Sequence, residues 1–363
     1  KTQRSPDITP RYKRTSMSLH DLPPPRKPSR IGLYAPFILL LIGIVGWSGF
    51  WFWARGEAQV RIDAAAADLQ RAGYAVAWRT RTLGGYPFRM DVTFTDFSVR
   101  DPSGWALTTP RLEAEAFMHA PGHWMIATPQ GLTFVRPIGG PVHVTATNLR
   151  ASLNNLDKRP PSFSFQAVKP TFEPTAGAQP FALTSADLVE FHLRPGPDDE
   201  GGVYAEMKNG KARLSGLLGR IAGDKPVAFT WNSTLSKMSA FEGPTWAEAV
   251  RRWTTAGGRM TVREAGLTAG EALVGAKAGA LSVGSDGRLN GALEVTLRQA
   301  PRALNVMGDT GAIPQPNAEA ARAVAQARQG ADETATATIT FQAGQTTLGP
   351  VAIGPAPKVY EAP

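Results

Sequence analysis

The sequence has no cysteine. Disulfide frameworks, thiolate zinc sites, iron–sulfur clusters and cysteine nucleophiles are excluded at once. Histidine is scarce, with five in 363 residues. His119 and His123 are four apart, but Pro121 and Gly122 between them break the helix that would set both rings on one side. The nucleophile elbow, the S-x-x-K set, the phosphate loop and the dinucleotide fingerprint are missing. Asp198-Asp199-Glu200 offers oxygens but lacks the alternating ligand spacing of a calcium loop, and reads as a solvated hairpin tip. Nothing calls for a metal, a cofactor or a catalytic residue.

Charge is thin as well, at 19% of residues against 42% hydrophobic, a balance that excludes a wholly disordered chain. The net charge of +9 invites a nucleic-acid partner, but its placement argues against one. Residues 1–30 hold eight Lys or Arg against Asp7 and Asp21, which leaves only +3 for the other 333 residues. A nearly neutral body has no electrostatic footprint for DNA or RNA, and no helix-turn-helix, RNA-recognition or zinc-finger pattern is present. Pro23, Pro24, Pro25 and Pro28 among the basic residues make this stretch a disordered, solvated tail.

One long apolar run exists. "IGLYAPFILLLIGIVGWSGFWFW", Ile31 to Trp53, carries no charge over 23 residues. As a helix it measures about 35 Å, enough to cross a hydrocarbon core of about 30 Å. Trp47, Trp51 and Trp53 crowd its end, where indole rings favour the headgroup layer. A cleaved signal peptide would show a shorter core and small residues at the cut, whereas this run ends in FWFWARGEA. The basic flank lies ahead of the run, so the N-terminus is expected in the cytoplasm and the rest outside it, in a Gram-negative cell the periplasm. The expected division is a tail at 1–30, an anchor at 31–54 and an exported domain at 55–363, opened by a stalk helix over 55–73 that Gly73 ends.

Beyond Gly73 the period changes from helical to two. Phe88, Met90, Val92 and Phe94 point one way, and Arg89, Asp91, Thr93 and Thr95 the other. The phase slips at Asp96, because Phe97 and Val99 become the apolar positions, and a slip of one residue predicts a bulge or bend. Arg89 and Asp91, flanked by threonines, have the composition of a wet sheet face rather than of an active site. "GALSVGSDGRLNGALEVTL" (279–297) is a hairpin turning at Ser285-Asp286-Gly287, with Leu289, Leu293, Val295 and Leu297 on one face. Further strands are expected at 142–153, 182–195 and 334–341. Thr245 and Glu248 form a capping box for a helix ending near Gly257-Gly258. Asn317 is expected to cap another helix, closed by Gly330, and Ala303 to Pro316 reads as helix then loop.

"GYPFRMDVTFTDFSVRDPSGWALTTPRLEAEA" (85–116), "PGHW" (121–124), the stretch 253–295 and "TTLGPVAIGPAPKVY" (346–360) resemble the domain of unknown function 2125 family. That resemblance implies a single-pass envelope protein of alphaproteobacteria and transfers no catalytic residue. The strand-turn-strand style is more loosely similar to AsmA-like envelope proteins, which implies lipid transport and outer-membrane upkeep.

The expected fold is therefore mainly β with a few helices: an N-terminal transmembrane helix followed by a large, curved antiparallel sheet. Phe88, Met90, Val92, Phe94, Leu289, Leu293, Val295 and Leu297 line either an open groove for acyl chains or a closed core. With the groove, the chain is a non-enzymatic inner-membrane protein that handles membrane lipid or another amphiphile. With the core, it is a scaffold that binds other envelope proteins through sheet edges or its tail. A hydrolase would need His123 or His143 to meet an acid and a serine in space.

Overall fold

The computed structural model describes residues 30–156, 158, 160–213, 225–270, 272–309, 311, 313–327 and 334–360. The chain divides into two compact units, Lys1–Phe50 and Trp51–Pro363. The described part of the first unit is helical from Ile31, and over residues 32–50 the side chains are exposed except for the half-buried Ala35 and Ser48.

Helix α1 runs from Ile31 to Arg71. Gly73 ends it as its position predicts, at φ 89°, with the N–H of Gly73 bonded to the carbonyl of Gln70 and that of Tyr74 to Leu69. These are the two bonds that close a helix through a left-handed glycine. The strands β1 (Ala75–Ala77), β2 (Thr80–Gly84), β3 (Arg89–Arg100), β4 (Ala106–Phe117), β5 (Trp124–Ala127), β6 (Leu132–Arg136) and β7 (Gly140–Thr145) follow. Next come β8 (Asn148–Asn154), β9 (Ser162–Val168), β10 (Thr171–Pro174), β11 (Leu183–Ser185), β12 (Leu188–Pro195), β13 (Gly201–Ala212) and β14 (Val227–Leu235). After α2 (Trp246–Thr255) come β15 (Met260–Ala269), β16 (Ala272–Val283) and β17 (Leu289–Arg298). Helices α3 (Ala300–Asp309) and α4 (Gln315–Ala327), then β18 (Thr334–Gln342), β19 (Gln345–Leu348) and β20 (Val351–Pro355), complete the chain.

All 20 described strands join one sheet, and every ladder between them is antiparallel. The topology is close to a meander. Several neighbouring short strands are halves of one bent strand: β1 and β2 both pair with β3, and β5 and β6 both pair with β4. The stretches 142–153 and 182–195, each expected as one strand, are likewise two, broken at 146–147 and at Ala186-Asp187.

The breaks fall in register. Asp96 sits at φ 47° and has no partner on β4, where Thr95 faces Arg111 and Phe97 faces Thr109. The register is the same on both sides of Asp96, so the phase slip is the bend rather than an inserted residue. Lys169, between β9 and β10, and Asn209, within β13, also have positive φ. Bonds between the broken positions hold the seam together: Arg79 pairs with Asp96 at 2.7 Å, Lys169 N–H meets the Asp187 carbonyl at 2.9 Å, and the Asn209 amide meets the Asp187 carboxylate at 2.7 Å. A bend repeated on neighbouring strands re-aims each of them while the ladders on either side keep their register, and only β13, at Asn209, adds a residue as a bulge against β14.

Helices cover parts of the apolar sheet face. Trp51, Ala54, Ala58 and Ile62 of α1 pack with Leu83, Met90, Val92 and Phe94. Leu304 of α3 and Ala318, Ala321 and Ala325 of α4 pack with Ala276, Val295, Leu297 and Ala337. Val250 and Trp253 of α2 pack with Val283 and Tyr360. Thr245 caps α2 as expected, its side chain accepting from Glu248 N–H. Helix α4 starts at Gln315, two residues ahead of the expected cap. Pro316, tolerated in a first turn, lies inside it, and Asn317 instead donates its side-chain amide to the Ala352 carbonyl of β20. The expected end of that helix at Gly330 lies outside the described residues.

Candidate functional site

The charges of the Arg89 stretch lie on the polar face and answer one another. Arg89 stands 3.3 Å from Asp91 and 3.1 Å from Glu115, the residue directly opposite Asp91 on β4. Arg111 pairs with Glu113 at 2.6 Å, and Arg150 donates twice to Gln166. All of these but Gln166 line a shallow trough of about 540 Å³. Its guanidinium groups are matched by neighbouring acceptors, as on a solvated, cross-strand-paired face.

The nearest approach to a catalytic grouping is one the sequence reading did not single out. His192 Nδ1 lies 2.9 Å from Ser164 Oγ, and its Nε2 lies 3.8 Å from Glu190. The Tyr204 ring is 5.9 Å away. Burial raises the Tyr204 phenol above its ordinary value, and the charges of Glu206, Glu190 and Glu264 push the same way. Ser164 and His192 face each other on β9 and β12, strands with neighbours on both sides. Their backbone donors serve the ladders on both sides rather than a site beside Ser164. His143 meets Thr133 at 3.3 Å, and His119 packs on Phe117. No group of three or more metal-binding side chains occurs among the described residues.

The eight predicted lining residues fall in separate clusters. Met90, Val92 and Phe94 are buried under α1, and Val295 and Leu297 are buried under α3 and α4 in a separate cluster. Leu289 and Leu293 are half-buried at the margins of neighbouring clusters. Phe88 is 68% exposed in the turn before β3.

Direct pairings nonetheless link the two ends of this face. One row runs Val92, Ala114, Ile126, Ala151, Phe165, Phe191, Ala205, Trp231, Ala265, Ala276, Val295. Directly opposed residues share a face, so the row is one continuous apolar band. Its ends are closed by helices. Its middle, with the adjoining Leu153, Phe163, Leu193 and Val203, is half-buried throughout. No described helix makes sustained contact with β8, β9, β12 or β13. Phe163 and Phe191 pack on each other at 6.2 Å. The signal available in sequence was the alternation in "SFSFQA" and "LVEFHL".

These features define a class: a large antiparallel sheet behind one N-terminal helix that is long and apolar enough to cross a membrane. Residues 51–357 match the model of a family described as an uncharacterised protein conserved in bacteria, DUF2125. The chain belongs to that family. No curated protein and no solved structure matches it.

Proposed function

We propose that this is a non-enzymatic, inner-membrane-anchored protein that handles membrane lipid or another amphiphile, its N-terminus cytoplasmic and its sheet in the periplasm. The observation that carries the reading is the half-open middle of the apolar band. The same row of side chains is closed by helices at both ends, and no described helix makes sustained contact with it across β8, β9, β12 and β13. Burying apolar area is worth about 25 cal/mol per Å², so an uncovered band of Phe, Leu and Val is a standing attraction for an acyl chain.

The test is photocrosslinking in the full chain in its membrane. Benzoylphenylalanine replaces Phe165 or Phe191, with Ile138, 84% exposed, as the control position. Mass spectra of adducts carrying lipid or another amphiphile at 165 and 191, and none at 138, support the reading. Protein adducts at 165 and 191 move the assignment to a scaffold for other envelope proteins. No adduct at either position removes the lipid reading.

A further inference from the structure

A second group of exposed apolar side chains lies on the body itself, around the turn before β3 and the end of β4. Phe52 is 59% exposed, Tyr86 and Phe117 are each 50% exposed, and Phe88 is 68% exposed. The packing around them is specific. Tyr86 stacks on Phe52 at 6.2 Å and meets the edge of Trp51 at 5.4 Å. The Trp51 indole N–H donates to the Arg89 carbonyl at 2.8 Å, which pins the segment bearing Phe88. Arg89 faces Phe117 across the β3–β4 ladder, and the Met118 N–H bonds the Phe88 carbonyl at 2.9 Å. Gly85 allows the tight turn that presents Tyr86 and Phe88: it sits at φ 94°, and a Cβ there would stand 2.8 Å from the Arg89 carbonyl oxygen.

Phe52 and Tyr86 thus form one stacked pair over the buried Trp51, and backbone bonds hold the exposed Phe88 and Phe117 on the adjoining segments. Trp51 and Phe52 are also among the last residues of the charge-free run that ends at Trp53. Aromatic rings that follow directly on an apolar span concentrate where acyl chains meet headgroups. Rings on loops beside such residues, exposed and fixed by backbone bonds, have the chemistry of that same layer.

We infer that Tyr86, Phe88 and Phe117 form, with Phe52, an aromatic footing that seats the body in the interfacial layer of the bilayer. The occupant of this patch is the lipid surface. The inference rests on the reading of α1 as a membrane anchor and goes beyond it, because an anchor alone would leave the body free of the surface.

The absence of native cysteine makes the test direct. Single cysteines replace Phe88, Phe117, Ile138 or Leu41 in the full chain. Each is spin-labelled and reconstituted into vesicles of phosphatidylethanolamine and phosphatidylglycerol. Collision with oxygen reports lipid, and collision with a water-soluble nickel chelate reports solvent. The expected result is an oxygen-to-nickel ratio several-fold higher at 41, 88 and 117 than at 138. Lipid exposure at 41 with 88 and 117 as wet as 138 overturns the footing and leaves the anchor standing. A wet label at 41 overturns both. Bromolipid quenching of Phe88→Trp, in a Trp53→Phe background and against that background alone, gives the same reading without a label.

Discussion

Arg81 grips Asp63 through two guanidinium nitrogens, at 2.6 and 3.1 Å. The pair ties α1 to β2, the strand at the edge of the sheet. Its hydrogen bond holds the Asp63 carboxyl below the ordinary carboxylate value. A carboxyl with a depressed folded-state pKa stabilises above its unfolded value and loses that contribution as pH falls through the folded one. Asp63→Asn should therefore be slightly less stable than the wild type at neutral pH. In strongly acid solution the two should converge. Denaturant midpoints measured across that range check both halves, and the gap should shrink with added salt because the pair is exposed.

Leu297 and Leu193 separate a closed part of the apolar face from an open one. Leu297 is packed under α3 and α4, so Leu297→Ala leaves a cavity and should cost about 2–5 kcal/mol. Leu193 is half-buried on the uncovered band, and Leu193→Ala should cost roughly 1 kcal/mol, within the ordinary range for partly exposed positions. Equilibrium unfolding of the two variants measures the contrast. Equal losses would mean that the middle of the band is packed as tightly as its ends.

Thr245 is the N-cap of α2, and its hydroxyl accepts the Glu248 N–H at 3.3 Å. Thr245→Ala should cost about 1 kcal/mol. Helix α2 carries Trp253, whose indole donates to the Ser236 carbonyl at 2.6 Å. Near-ultraviolet circular dichroism of the variant should keep its folded-state shape while the thermal midpoint falls.

Gly287 turns the hairpin between β16 and β17 at φ 77°, and a Cβ there would stand 2.2 Å from the Tyr360 carbonyl oxygen. The Val359 N–H bonds the Gly287 carbonyl at 2.8 Å, so the turn also docks the last described segment. Gly287→Ala should destabilise by more than about 1 kcal/mol, because both the backbone conformation and the space are refused. Hydrogen exchange should show faster opening around Val359 than in the wild type.

Much of the sheet was legible because its causes are local. The hairpin at Gly287, the cap at Thr245, the helix stop at Gly73 and the bend at Asp96 each follow from one or two residues and a change of period. The seam beyond Asp96 was not legible. Ala186-Asp187 carries neither glycine nor proline, and its break lies between neighbours with positive φ, Lys169 and Asn209, both bonded to Asp187. Nor could alternation tell Val92 from Phe165. Both face the same way in their strands, and only the distant packing of α1 buries one and leaves the other half-open. The start of α4 was misread because Asn317 looks like a cap locally, while its partner, the Ala352 carbonyl, is 35 residues away.

The near-meander order of the sheet also bears on how the chain acquires its structure. Each rung lies beside the rung made just before it, so a strand finds its template already in place. Ordering can then travel from α1 toward β20 as the polypeptide emerges, with little waiting for remote partners. A chain cut short at any turn would present its last strand as a naked, adhesive margin.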